Sequence, residues 1–276
     1  MCKAFYYKKY DFDTDTNTLT LSYAVQEGKT CLHTFHEQII FPPIPIPLSH
    51  ERKEALKSIF FLTHIAFGIS YYKAFCPEEI KIESGKLTAE QATFFNRFFV
   101  AGLGEFAVRN HLNLQGKITF PYEKDLQTVS FPINFQKRFL VPIGGGKDSC
   151  VSLDVLGKIG VECCGISIGN PRPIQECAEK SQLPHLVLKR VIDSHLIELN
   201  QTGAVLNGHV PITGMLAFLL WACGLMYDYQ YVALSCERSA NSGNLMQGSL
   251  SVNHQYSKSF EFETEFYKLT QTVTPN

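Results

Sequence analysis

Aromatic and β-branched residues crowd positions 5–12 and 18–24, with the polar run Asp13-Thr14-Asp15-Thr16-Asn17 between them. Two such runs around a polar break predict a β-hairpin. The run Phe41-Pro42-Pro43-Ile44-Pro45-Ile46-Pro47 follows; proline lacks an amide donor and restricts its predecessor, so this stretch is predicted to be an extended linker. Helices are predicted over 51–72 and 89–111, the second opened by Thr88-Ala89-Glu90-Gln91 at capping-box spacing. Phe94, Phe98, Leu103 and Phe106 give it one apolar face. Beyond Arg138 the pattern changes. Short apolar runs at 139–143, 161–168, 185–191 and 231–235 are separated by helical stretches from Cys150 and over 174–180, an alternation that predicts a parallel sheet covered by helices. The uncharged stretch 210–227 is interrupted by Pro211, Thr213 and Gly214. Its apolar part falls short of the roughly 20 residues a membrane span needs, so a buried core helix is expected.

The chain has 276 residues, enough for two domains, and the change of pattern puts the boundary near Gln136: an N-terminal α+β domain over 1–136 and an α/β domain over 137–276. A hydrophobic content of 45% with 18% charged residues is that of an ordinary globular chain. The formal net charge of -1 gives no reason to expect a nucleic-acid partner. Nine cysteines include no C-x-x-C pair or zinc-type cluster, so reduced thiols are expected. The start Met1-Cys2-Lys3-Ala4-Phe5 has no basic-then-apolar pattern, which points to the cytoplasm.

The chemistry concentrates in Ile143-Gly144-Gly145-Gly146-Lys147-Asp148-Ser149. A strand running through a glycine turn into a helix gathers unpaired backbone amides and the positive end of a helix dipole, which attract phosphate. A Walker loop needs Ser or Thr after its lysine, whereas Asp148 stands there. A dinucleotide fingerprint would need Gly or Ala where Ser149 stands. Two further polar runs follow: Cys236-Glu237-Arg238-Ser239-Ala240-Asn241-Ser242-Gly243-Asn244, beyond the predicted strand 231–235, and residues 252–263, which open Val252-Asn253-His254-Gln255-Tyr256-Ser257-Lys258-Ser259. Ligands in parallel α/β sheets sit beyond the carboxyl ends of strands, so the loop after 231–235 is expected beside the glycine loop.

The glycine segment resembles the PP-loop of ATP pyrophosphatases, with Gly144 in place of the usual first serine. That resemblance implies a flavodoxin-like parallel sheet and cleavage of ATP between the α- and β-phosphates. Taken with Glu237-Arg238-Ser239-Ala240-Asn241-Ser242-Gly243-Asn244 and Asn253-His254-Gln255-Tyr256-Ser257-Lys258-Ser259, it resembles the UDP-N-acetyl-α-D-muramoyl-L-alanyl-L-glutamate epimerase family. The resemblance implies inversion of the terminal glutamate of a peptidoglycan precursor with ATP and Mg2+, through an acyl-adenylate that releases AMP and diphosphate. A UDP-muramoyl-dipeptide is then the substrate, and no membrane or nucleic-acid partner is expected. Family members continue well past the Asn253 segment, whereas this chain stops at Asn276, which leaves a truncated gene or a divergent, inactive member as alternatives.

On this reading Gly144, Gly145, Gly146, Lys147, Asp148 and Ser149 bind ATP, Asp148 helps place magnesium, and Lys147 stabilises charge developing in the transfer. Arg238, Ser239, Asn241, Asn244, Asn253 and Lys258 are the substrate-binding candidates, with the Arg238 fork matched to a carboxylate. Cys236, Glu237, His209 and His254 are the candidates for moving the α-proton. Cys163 and Cys164, within a predicted strand, are expected in the core. The rival readings are another PP-loop enzyme, tRNA-modifying or amide-forming, and a nucleotide-binding protein without turnover.

Overall fold

The first three strands bury apolar side chains on alternate positions, Phe5 and Tyr7 on β1 (Lys3–Asp13), Leu19, Leu21 and Tyr23 on β2 (Thr18–Glu27), and Phe35 and Ile39 either side of the inward Glu37 on β3 (Thr30–Ile40). They form an antiparallel meander rather than the single hairpin predicted. The third strand escaped the sequence because an inward position is taken by Glu37, fully buried, which breaks the apolar alternation. The computed structural model describes residues 3–45, 47–243, 245–247 and 250–275. In it the described prolines of the 41–47 run have no regular secondary structure, as expected.

The predicted first helix is two: α1 (His50–Phe67) and α2 (Ile69–Phe75), which meet at Gly68. A Cβ on Gly68 would come within 2.3 Å of the Tyr7 ring, so only glycine lets this bend seat on the sheet. β4 (Glu79–Ile82) adds parallel to β1. The second predicted helix is likewise two, α3 (Ala89–Gly102) and α4 (Gly104–Arg109), and the Thr88/Gln91 capping box is present at its start. Phe94, Phe98, Leu103 and Phe106 are all buried.

The second half supplies β5 (Phe139–Pro142), α5 (Lys147–Lys158), β6 (Cys163–Ile168), α6 (Arg172–Ser181), β7 (His185–Val191), α7 (Ser194–Gln201), α8 (Ile212–Tyr227) and β8 (Tyr231–Val232). A small hairpin, β9 (Leu245–Gln247) with β10 (Leu250–Val252), and α9 (Phe260–Val273) complete it. α5 starts three residues before Cys150, directly on the glycine loop. α8 is the buried helix predicted, with Phe218, Trp221 and Cys223 inside; no helix of the described residues is long and apolar enough to cross a membrane.

All but the small hairpin join one eight-stranded mixed sheet, ordered β4-β1-β2-β3-β7-β6-β5-β8. β3 and β7 close the seam in antiparallel register, Ile39 opposite Arg190. Beneath the seam the buried Glu37 accepts from Arg190 Nε at 2.5 Å. Arg52 of α1 ties the halves again, pairing with Asp228 at 2.6 Å and donating to Leu225 O.

The parallel strands run β7-β6-β5-β8, that is 3-2-1-4 in their own chain order. This corrects the flavodoxin-like expectation, in which the first strand lies between the second and third. Here the chain leaves β7 at one side and crosses by α7 and α8 to the far side of β5. The core reflects both faces: Leu140, Cys164 and Ile166 join the large aromatic cluster with α8, whereas Val141, Ile143 and Cys163 pack with Leu153 and Ile174 under α5 and α6.

One cysteine expectation is also corrected. Cys150 on α5 and Cys177 on α6 are paired as a disulfide with Cα atoms 6.2 Å apart, while Cys31, Cys76, Cys163, Cys164, Cys223 and Cys236 are free. Their 27-residue separation gave no motif; it is the side-by-side packing of the two helices that brings them together.

Candidate active site

The strand order reverses at β5, whose neighbours β6 and β8 lead away in opposite directions, and ligands of open α/β sheets bind at such a switch point. The glycine loop sits there. Gly145 holds the turn in the left-handed region at φ 76°, and a Cβ on it would press to 3.0 Å against Pro173 at the start of α6. Gly144 and Gly146 are different: a Cβ on either would meet nothing within 4 Å. Their bareness keeps the approach to the backbone open and is not a packing need. Gly146 caps α5 without a side-chain hydrogen bond, so the first amides of the helix are left for a ligand. Ser149, buried, donates to Gly146 O at 3.0 Å and fixes the loop against the helix.

The loop opens into a cavity of about 330 Å³. Ile166, Ile168, Leu188, Leu216 and Leu220 form apolar walls; Gly144, Gly146, Asp148, Ser149, Cys236 and Lys258 bring polar and charged groups to it. Apolar walls with a few convergent polar groups are the usual make-up of a small-molecule site. The loop after β8 is anchored to α5 by Ser235 and Ser152, whose hydroxyls lie 2.7 Å apart. Thus the three segments singled out in the sequence converge: the glycine loop, Cys236 after β8, and Lys258 before α9.

Not every candidate lines the cavity. Lys147 is exposed on the first turn of α5, where no ion pair engages it among the described residues. Glu237, Arg238, Ser239 and Asn241 lie exposed around a short 3-10 turn whose polar groups are partly spent on local bonds: Ser239 donates to Glu237 and Asn241 donates to Arg238 O within it, while Asn241 also accepts from Phe260 N of α9 at 2.7 Å. Asn253 donates to Ala240 O at 2.7 Å and borders a second hollow with Arg97 and Tyr256. Asn241 and Asn253 therefore knit the two late motifs together. Asn244 lies outside the described residues.

Electrostatics mark two proton-transfer candidates. Partial desolvation raises the Cys236 thiol above its ordinary pKa, with Lys258 opposing and Glu263 adding to the rise. Burial holds His209 below its ordinary value; Glu105, whose carboxylate is 3.7 Å from Nδ1, opposes this, and His254, Lys258 and Arg109 reinforce it. The ring therefore stands unprotonated at neutral pH and can take up a proton, as a weaker base than an ordinary imidazole. Glu105 and the cavity-lining Thr213 and Ser235 were missed by sequence reading: Glu105 sits inside a predicted helix with nothing to separate it from a solvated face. Among the described residues no group of three or more His, Cys, Asp or Glu is placed to hold a metal. Asp148 is the carboxylate at the cavity, a set that fits Mg2+ arriving with phosphates and touching one protein carboxylate.

These features define an α/β protein with a glycine loop and helix N-terminus at the switch point of a doubly wound half-sheet. The chain belongs to the MurL N-terminal domain family, which it matches over residues 1–275. It is 38% identical over 254 residues to the UDP-N-acetyl-alpha-D-muramoyl-L-alanyl-L-glutamate epimerase of Xanthomonas oryzae pv. oryzae, covering 92% of this chain and 55% of that protein. It is 33% identical over 263 residues to the epimerase of the same name from Salinispora tropica, covering 94% of this chain and 56% of the relative. A Micromonospora relative of that name is 32% identical over 265 residues, at 94% and 58%. The chain thus spans a little over half the length of the curated relatives it matches. No solved structure matches it.

Proposed function

We propose that this chain carries the nucleotide site of an enzyme that inverts the terminal L-glutamate of UDP-N-acetylmuramoyl-L-alanyl-L-glutamate to D-glutamate in peptidoglycan synthesis. The half-sheet is read as the PP-loop ATP pyrophosphatase type. The reading is carried by one observation, the bare Gly144–Gly146 turn at the α5 N-terminus opening into a cavity shared with Cys236 and Lys258. The names of the relatives supply the substrate class.

The chemistry explains the need for ATP. Removing the α-proton of a free glutamate would place a second negative charge on a carboxylate that already bears one. Transfer of AMP to that carboxylate, with loss of diphosphate, removes the first charge and makes the α-proton more acidic. The loop amides and Lys147 would hold the leaving diphosphate, where fixed dipoles and charge are most effective. Asp148 would hold Mg2+, which supplies charge neutralisation at the phosphates when bound. On this reading Cys236, which lines the cavity, and His209, paired with Glu105 outside that lining, would move the proton, and Arg238 would bind a substrate carboxylate.

The test is incubation with ATP, Mg2+ and the L-glutamyl precursor, followed by AMP assay and chiral analysis of the glutamate. D-glutamate formed together with AMP is the expected result. ATP binding with no AMP would favour a nucleotide-binding role without turnover; AMP release dependent on tRNA or ammonia would favour another PP-loop enzyme. Failure to bind ATP at all would overturn the proposal.

A further inference from the structure

β8 is the outermost strand on its side of the sheet, and among the described residues no strand pairs with its free edge. Its amides at Tyr231 and Ala233 donate inward, to Arg138 O at 3.1 Å and Leu140 O at 2.9 Å. The intervening Val232 amide therefore faces the open side. Edge strands are ordinarily blunted by charge, proline or cover. Here Tyr231 and Val232 are 39% and 38% exposed, beside Phe260 at 69% and Tyr267 at 59% on α9. Between β8 and α9 runs a groove of about 750 Å³, lined chiefly by apolar groups.

The direction of α9 says what belongs there. Its start is held beyond the carboxyl end of β8, where Phe260 N donates to Asn241. Its end is held on the side from which β5 enters: Phe131 N donates to Val273 O at 2.7 Å, and Trp221 Nε1 donates to Thr274 at 3.0 Å. α9 thus runs back along the sheet against the direction of β8, as the helix of a β-α-β crossover does. A strand following such a helix lies parallel to the first and beside it. It would extend the order 3-2-1-4 by a fifth strand. The curated relatives contain further polypeptide: the matched region is only 55–58% of their length, and the family is defined as an N-terminal domain.

We propose that the open edge of β8 and the β8–α9 groove are the docking surface for the polypeptide that these relatives carry beyond the matched region. That segment adds a strand parallel to β8 and covers Val232, Phe260 and Tyr267. This proposal is independent of the ATP reading.

The test mixes this chain with the remaining part of the Xanthomonas relative, made as a separate polypeptide, and follows complex formation by size exclusion and amide exchange. A complex is expected, with exchange at 231–234 slowed by roughly tenfold or more. Val232→Pro removes only the outward amide, leaving the bonds to β5 in place, and Tyr267→Glu puts a charge in the groove. Each is expected to weaken the complex at least about tenfold, with unchanged circular dichroism as the check on folding. No complex, a complex that leaves exchange at 231–234 unchanged, or a complex indifferent to both substitutions overturns the proposal. So does a homodimer of this chain alone that Val232→Pro dissolves, since the edge would then belong to a second copy.

Discussion

The two halves of the sheet are built to different standards. Around β1–β3 and α1–α3 the core is a continuous stack of rings: Tyr23 lies 4.9 Å from Tyr71, Phe99 4.8 Å from Phe120, and the buried tyrosines 7 and 23 end their hydroxyls on the carbonyls of Ile65 and His64. Under α5 the core is thin. Only Ser149 and Leu153 of that helix are buried, and Val151, Val155 and Ile159 are 60%, 49% and 65% exposed. The dense half holds the shape; the thin half carries the glycine loop and the polar turns. Segments with few buried contacts open at lower free energy than the global barrier, so stability and ligand binding should separate between the halves.

The largest effect on stability is expected in the dense half. Phe99 is fully buried between Tyr72 and Phe120, and Phe99→Ala should destabilise the chain by about 3–5 kcal/mol. Denaturant titration measures it, and ATP affinity well below the transition should stay unchanged. A parallel loss of affinity would mean the halves are not separable.

A smaller effect tests the same half with pH. His64 is fully buried and neutral by construction: Nε2 donates to Ser22 O at 3.1 Å, and Nδ1 takes the Ser84 hydroxyl at 3.1 Å. Burial lowers its pKa to about 3. Below the unfolded value of 6.5 the unfolded chain takes up a proton that the fold refuses, so stability present at pH 7 is lost as the pH falls. Between pH 7 and 5 the loss should be about 2 kcal/mol, read from urea midpoints. His64→Gln should remove that part of the slope; an unaltered slope would show that imidazole protonates within the fold.

Thr88→Ala tests a local device. It deletes the acceptor for Gln91 N and half of the capping box at α3, with an expected loss of about 1 kcal/mol. A larger loss would mean that α3, and not the ring stack, governs the dense half.

What the sequence made legible follows the same division. The ring-bearing alternation of β1 and β2, the capping box and the apolar α8 were readable because each is local. β3 was hidden by Glu37, whose meaning depends on Arg190, 153 residues away. The strand order and the disulfide were unreadable for the same reason, since both follow from how remote helices pack. At the site, the glycine loop and the neighbourhood of Cys236 and Lys258 were legible as motifs. The binding of Asn241 and Asn253 to backbone groups across the two late segments was not, because an amide reads alike whether it serves a ligand or a loop.

The smallest expected effect on stability is the sharpest test of the thin half. A methyl at Gly144 meets no atom within 4 Å, and the backbone there is not left-handed. Gly144→Ala should therefore change stability by no more than about 0.5 kcal/mol, whereas Gly145→Ala, at φ 76° and against Pro173, should lose about 1–2 kcal/mol. The space beside Gly144 is what a phosphate resting on the α5 amides would fill, so the same silent methyl should weaken ATP binding by about tenfold or more. Calorimetric titration beside a urea curve gives both readings from one preparation. Normal affinity in Gly144→Ala would remove the loop from the binding site and with it the distinction between a half that holds the shape and a half that holds the ligand.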